Sequence, residues 1–150
     1  MNSFPVILLV VLLGGSGPMT CYANGQGNLA VEDVEAWLEA YEEAWEKLDP
    51  EKAALIFTED ATYQVDPYSE PYIGRDAIYG YWATVTSDQK DVDFTAEVLA
   101  VTEDTGIAHW HSEFTQDSSG ASIILDGIFV LKFSDDGKCE SLKEWWSIKQ

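Results

Sequence analysis

The chain has 150 residues, 46% of them hydrophobic, with 27 acidic against 8 basic side chains and a formal charge of -19. That is enough for one modest core and too little for two. The charge repels phosphate backbones and anionic membrane surfaces, which argues against nucleic-acid and membrane partners, and no internal repeat, P-loop or dinucleotide fingerprint is present.

The N-terminus opens with an apolar run, V-I-L-L-V-V-L-L, between Pro5 and Gly14. It is too short to span a bilayer as a helix. Small and turn-forming residues follow, and the pattern is that of a secretory signal peptide over residues 1–23, with cleavage after Ala23 and a short flexible linker over 24–29. The n-region is atypical, since M-N-S-F-P carries no Lys or Arg, and lipid processing before Cys21 is the alternative. Cleavage after Ala23 would leave Cys139 without an intramolecular partner. A domain over 30–150 then remains.

From Leu29 onward, Val31, Val34, Trp37, Leu38, Tyr41, Trp45 and Leu48 recur at three- and four-residue steps, an amphipathic helix whose other side is glutamate-rich. Asp49 and Pro50 open a second helix running to about Phe57, with Asp as N-cap and Pro in the first turn. A short strand is predicted from Ala61 to Val65. The loop after it holds Pro67, Pro71 and Gly74 and carries Asp66, Tyr68, Glu70 and Tyr72. A third helix over Asp76 to Thr84 presents Ile78, Tyr81 and Trp82. Beyond Asp91 the apolar period changes to two. Strands are predicted over Val92 to Thr102, Gly106 to Gln116, Ser122 to Phe133 and Cys139 to Ile148, joined by Gly-containing hairpin loops. Three helices followed by an antiparallel meander give an α+β domain with a pocket between the two layers.

The segment from Phe57 to Trp82, with D-P-x-S-E-P and G-R-D-A-I, followed later by L-D-G-I-F-V-L-K-F, D-D-G-K and E-W-W, resembles the SnoaL-like domains of the nuclear transport factor 2-like superfamily. The resemblance covers roughly residues 30 to 148. It implies a cone: a curved antiparallel sheet wrapped around three N-terminal helices. It does not fix a reaction, because this fold carries enzymes and binders alike.

Ketosteroid isomerase belongs to the same superfamily, and the resemblance implies two catalytic candidates. Asp66, followed by Pro67, matches the aspartate that abstracts a proton there; its other reading is the start of a turn. Tyr41 falls where that enzyme keeps an oxyanion-binding tyrosine; its other reading is a core aromatic. The position of the enzyme's second oxyanion donor is Phe129, with Asp126 on the opposite strand face, so that donor is missing. Trp45, Phe57, Tyr63, Trp82, Phe129, Glu144 and Trp146 are the expected pocket lining, around an apolar space of drug-like size. On the strand H-W-H-S-E, His109, His111 and Glu113 share a face and suit zinc by type. The opposite parity looks core-facing, however, which puts the histidines on the outer face or in a dimer interface, and no metal site is assigned.

The sequence therefore reads as an exported SnoaL-like domain that holds a small, largely apolar molecule and forms a homodimer. Cofactor-free proton transfer of isomerase, cyclase or dehydratase type is the enzymatic reading. A non-catalytic ligand-binding or dimerisation module is the alternative.

Overall fold

The computed structural model describes residues 28–149; the expected signal peptide lies outside them. The order of elements is α1 (Val31–Glu46), α2 (Pro50–Leu55), β1 (Phe57–Gln64), β2 (Tyr72–Ile73), α3 (Arg75–Thr86), β3 (Gln89–Val101), β4 (Thr105–Gln116), β5 (Ser122–Phe133) and β6 (Cys139–Ile148). The strands form one six-stranded sheet in the order β2-β1-β6-β5-β4-β3.

β3 to β6 are the expected antiparallel meander. The sheet as a whole is mixed, because β1 joins the far side of β6 in parallel, with Tyr63 opposite Leu142. Sequence periodicity cannot reveal such a pairing, since the two strands are separated by most of the domain. β1 also begins earlier than expected. The second helix stops at Leu55, and Phe57 is already a strand residue opposite Cys139.

The sheet curves because its ladders are interrupted. Register shifts occur between Lys90 and Asp93, between Val98 and Ala100, and between Phe57 and Thr62. Each interruption bends a strand and adds twist. Asp91 sits in the first of them with φ 52°. The helices fill the concave side. α1 buries Val34, Trp37, Leu38, Tyr41, Ala44 and Trp45, the stripe read from its three- and four-residue spacing. Trp37 meets the rings of Phe57 and Phe133 edge-on and donates its indole N–H to the Ile56 carbonyl at 3.0 Å.

Local chemistry sets the joints. Asp49 Oδ1 accepts from the Lys52 N–H at 3.0 Å with Pro50 opening α2, as its N-cap pattern predicts. Gly74 precedes α3 at φ 84°, a conformation that favours glycine. Arg75 ties the start of α3 to β1, its Nη2 donating to the Phe57 carbonyl at 2.8 Å. The Leu29 N–H reaches the Glu103 carbonyl at 2.9 Å, so the chain is already fastened to the β3–β4 hairpin two residues before α1.

Gly127 on β5 has a different task. A Cβ there would lie 2.6 Å from the Trp145 carbonyl oxygen and 2.8 Å from the Trp110 ring. The bare backbone is what lets the Trp110 indole lie flat on the sheet. Gly127→Ala is expected to lower stability by about 1–3 kcal/mol, the usual range for overpacking. Urea unfolding of the variant checks this; an unchanged midpoint would mean that both the β6 backbone at Trp145 and the Trp110 ring yield without cost.

Candidate functional site

Between the helices and the concave sheet face lies a cavity of about 80 Å³. Its walls are Tyr41 and Trp45 from α1, Tyr63 from β1, and Tyr81, Trp82 and Val85 from α3; Gln89, Trp110, Leu125, Glu144 and Trp146 complete it from β3 to β6. Trp146 is 47% exposed and stands at the mouth, its indole N–H bound to the Val65 carbonyl at 2.9 Å.

Glu144 is the acid of this cavity. Its side chain points inward from β6 because Leu142 and Glu144 share the buried parity, while Lys143 and Trp145 face out. It is 5% exposed, and Tyr63 donates a hydrogen bond to its Oε1 at 3.2 Å. The Tyr41 and Tyr63 hydroxyls lie 3.2 Å apart, which extends the chain to Tyr41–Tyr63–Glu144. Tyr81 packs edge-on against Tyr63. Burial pushes the Glu144 carboxyl up to about 8, the charge of Asp66 adds to the rise, and the bond from Tyr63 opposes it. The same burial, reinforced by Glu144, holds the Tyr41 and Tyr63 phenols well above their ordinary value. At neutral pH the site therefore holds a protonated carboxylic acid beside neutral phenols. The indole N–H groups of Trp82 and Trp110 are buried without a partner in the protein.

The candidates from the sequence divide as follows. Tyr41, Trp45, Tyr63, Trp82, Glu144 and Trp146 all line the cavity. Asp66 does not. Its Oδ1 accepts from the backbone N–H groups of Tyr68 at 2.8 Å and Ser69 at 3.1 Å, the turn role of the two that an Asp-Pro pair allows. It acts on the cavity only through its charge. Phe57 and Phe129 are fully buried in the core behind the lining rather than in it. The cavity is also far smaller than the drug-like space expected, because Trp45, Trp82 and Trp110 fill the cone with their own rings. Tyr81, Val85, Gln89, Trp110 and Leu125 were not anticipated as lining.

His109 and His111 occupy the outer face. Both approach Asp126, His109 Nε2 at 3.0 Å and His111 Nδ1 at 3.3 Å, and Glu97 stands 3.6 Å from His109 Nδ1. Those bonds hold the Asp126 carboxyl below its ordinary value. Among the described residues no group of three or more His, Cys, Asp or Glu side chains is arranged to hold a metal ion. Cys139 is a buried free thiol whose ionisation is suppressed by burial.

The SnoaL-like domain family matches residues 35–141. The chain is a SnoaL-like domain. Its cone is the nuclear transport factor 2-like fold, and solved structures at low identity share it. SalBIII, an epoxide hydrolase/cyclase-like enzyme of pyran ring formation in polyether salinomycin, superposes with a TM-score of 0.68 at 18% identity, over 77% of this chain and 92% of that one. A ketosteroid isomerase-like protein from Erwinia carotovora atroseptica does so at 0.64 and 19%, over 80% and 96%. A protein of ketosteroid isomerase-like fold from Catenulispora acidiphila, in complex with trimethylamine, gives 0.66 and 17%, over 74% and 85%. No curated protein sequence matches the chain. Glu144 and Trp146 of this SnoaL-like domain lie just past the matched segment.

The raised Glu144 carboxyl has a signature in stability. Its folded value lies above the ordinary 4.5, so between about 4.5 and 8 the folded state holds a proton that the unfolded chain has released. Stability contributed by this group therefore falls as pH rises through that window, by up to about 1.4 kcal/mol per pH unit. Urea unfolding from pH 5 to 8.5 is expected to show that slope in the wild type and its loss in Glu144→Gln; parallel profiles would contradict the shift.

Proposed function

We propose that this SnoaL-like domain binds a small molecule in the Glu144 cavity and exchanges a proton with it without a cofactor, in chemistry of isomerase, cyclase or dehydratase type. The carrying observation is the buried Glu144 carboxyl, poised near pH 8 and coupled through Tyr63 to Tyr41 in a space otherwise walled by aromatic rings. A group that holds or releases its proton close to working pH suits a general acid or base. Tyr63 then steadies the ionised form by its hydrogen bond. Asp66 serves as a nearby charge that keeps the proton on. The isomerase-like and cyclase-like names of the structural neighbours agree with this reading, and the trimethylamine bound by one of them has a size that suits about 80 Å³.

Non-catalytic binding is the second reading. One observation favours it: with Asp66 turned to backbone amides, Glu144 has no second carboxyl beside it in the cavity. Hydrogen exchange separates the two. In D2O near pH 8, small carbonyl and ammonium compounds are incubated with the protein, and the loss of C–H signals is followed by NMR. Wild type is expected to exchange at least one compound and Glu144→Gln to exchange none. Asp66→Asn should stay active with a pH profile moved slightly to lower pH, because burial still raises Glu144 and only the smaller contribution of the Asp66 charge is gone. Exchange that persists in Glu144→Gln would sink the catalytic reading.

Export and assembly belong to the same proposal. The apolar N-terminal run supports secretion of a chain beginning near Asn24. The outer sheet face supports a homodimer: Ile107, Ile124, Ile128 and Val130 are partly exposed there, and Trp145, opposite Ile128, is 45% exposed. Native mass spectrometry of the protein from its own cells is expected to give twice the mass of residues 24–150. A single-chain mass at micromolar concentration, or retention of residues 1–23, would contradict the respective half.

A further inference from the structure

We propose that the ligand of this cavity is a small organic cation of the methylated-ammonium class, seated against aromatic ring faces with Glu144 as its counter-ion. The inference rests on the cavity being the ligand site and adds the chemical class of what enters it.

Ring geometry is the first support. Tyr41, Trp45 and Trp82 are mutually perpendicular: their interplanar angles are 90°, 82° and 83°, with centroids 5.2 to 6.0 Å apart. The three rings pack edge to face along one side of the cavity, and Tyr63 and Tyr81 add another perpendicular pair at 85°. Aromatic walls bind methylated ammonium groups through the negative faces of the rings, which attract a cation within about 6 Å.

The acid is the second support. Glu144 has no lysine, arginine or histidine paired with it among the described residues; its bonded neighbour is Tyr63. A buried carboxyl without a cation must stay protonated or cost several kcal/mol as an anion. A cationic ligand would complete it and displace the proton. Size and field agree. A space of about 80 Å³ is compact, which suits a small head group and excludes a polycyclic ligand. The formal charge of -19 draws cations towards the mouth.

The rival ligand class is a neutral carbonyl compound, for which the unpartnered N–H groups of Trp82 and Trp110 would be donors. The charge of Glu144 and the perpendicular ring faces favour the cation, and one experiment sets the two against each other.

Isothermal titration of the full domain compares tetramethylammonium chloride with two neutral probes, tert-butyl alcohol of similar shape and acetone. Tetramethylammonium does not titrate, so any pH dependence belongs to the protein. The Tyr41, Tyr63 and Tyr81 phenols facing Glu144 are all raised above their ordinary value and keep their protons throughout, while Asp66 contributes a nearby charge. Its affinity should therefore rise about tenfold per pH unit from pH 6 towards 8, as the Glu144 proton is displaced, and then level off. In Glu144→Gln, an uncharged near-isostere, binding should be weaker and flat with pH. Acetone or tert-butyl alcohol binding as tightly as tetramethylammonium would overturn the cation and leave the cavity reading standing. Tetramethylammonium binding without a pH slope in the wild type would overturn Glu144 as counter-ion. Heat from none of the three would overturn the proposal, and joined to an absence of hydrogen exchange it would end the cavity reading as well.

Discussion

A carboxyl group buried in an aromatic core constrains this fold more than any other single feature. Taking an ionised Glu144 out of water would cost several kcal/mol, so the group is neutral at physiological pH and takes its hydrogen bond from Tyr63. That one polar point draws on separate parts of the chain. Tyr41 comes from α1, Tyr63 from β1, Tyr81 from α3 and the acid itself from β6. The Tyr41 and Tyr63 hydroxyls must be placed to a few tenths of an ångström while their rings pack against others, Tyr81 among them. The hydrogen-bonded chain therefore pins the helical layer to the sheet in a way that apolar contacts, which tolerate sliding, do not.

The sheet makes room for this arrangement by bending. Bulges in β3 and at the β1–β6 ladder curl it, and the missing side chain at Gly127 lets Trp110 lie close to the strands. What would otherwise be a wide cone is filled by tryptophan, and the free space contracts to a small box around Glu144.

Much of this was legible in the residues. The α1 stripe, the Asp49–Pro50 start of α2 and the four long strands with their Gly-containing loops follow from periodicity and turn chemistry, which act locally. The parallel pairing of β1 with β6 depends on a distant partner and leaves no such trace, and the two-residue β2 is too short for a period to show. Alternation along the last strand only groups Glu144 with Leu142 and Trp146; the resemblance implies that this face is the inner one, and an outward pairing with a lysine stays open until the burial of Glu144 decides it. Asp66 was ambiguous because Asp-Pro has the same sequence whether its carboxylate faces a ligand or caps two amides; the amides won. Parity also shows that Phe57 and Phe129 point inward, as Tyr81 and Trp110 do. Which inward side chains meet empty space and which meet one another is decided by packing volume, and no spacing rule encodes that.

Trp45, Trp82 and Trp110 all wall the space into which Glu144 points. Indole emission responds to charges near the ring, so ionisation of Glu144 would shift the emission of these rings, which are among the six tryptophans of the chain. Such a shift would be an internal optical gauge of the acid, one that needs no label and is read from the same rings that shape the cavity.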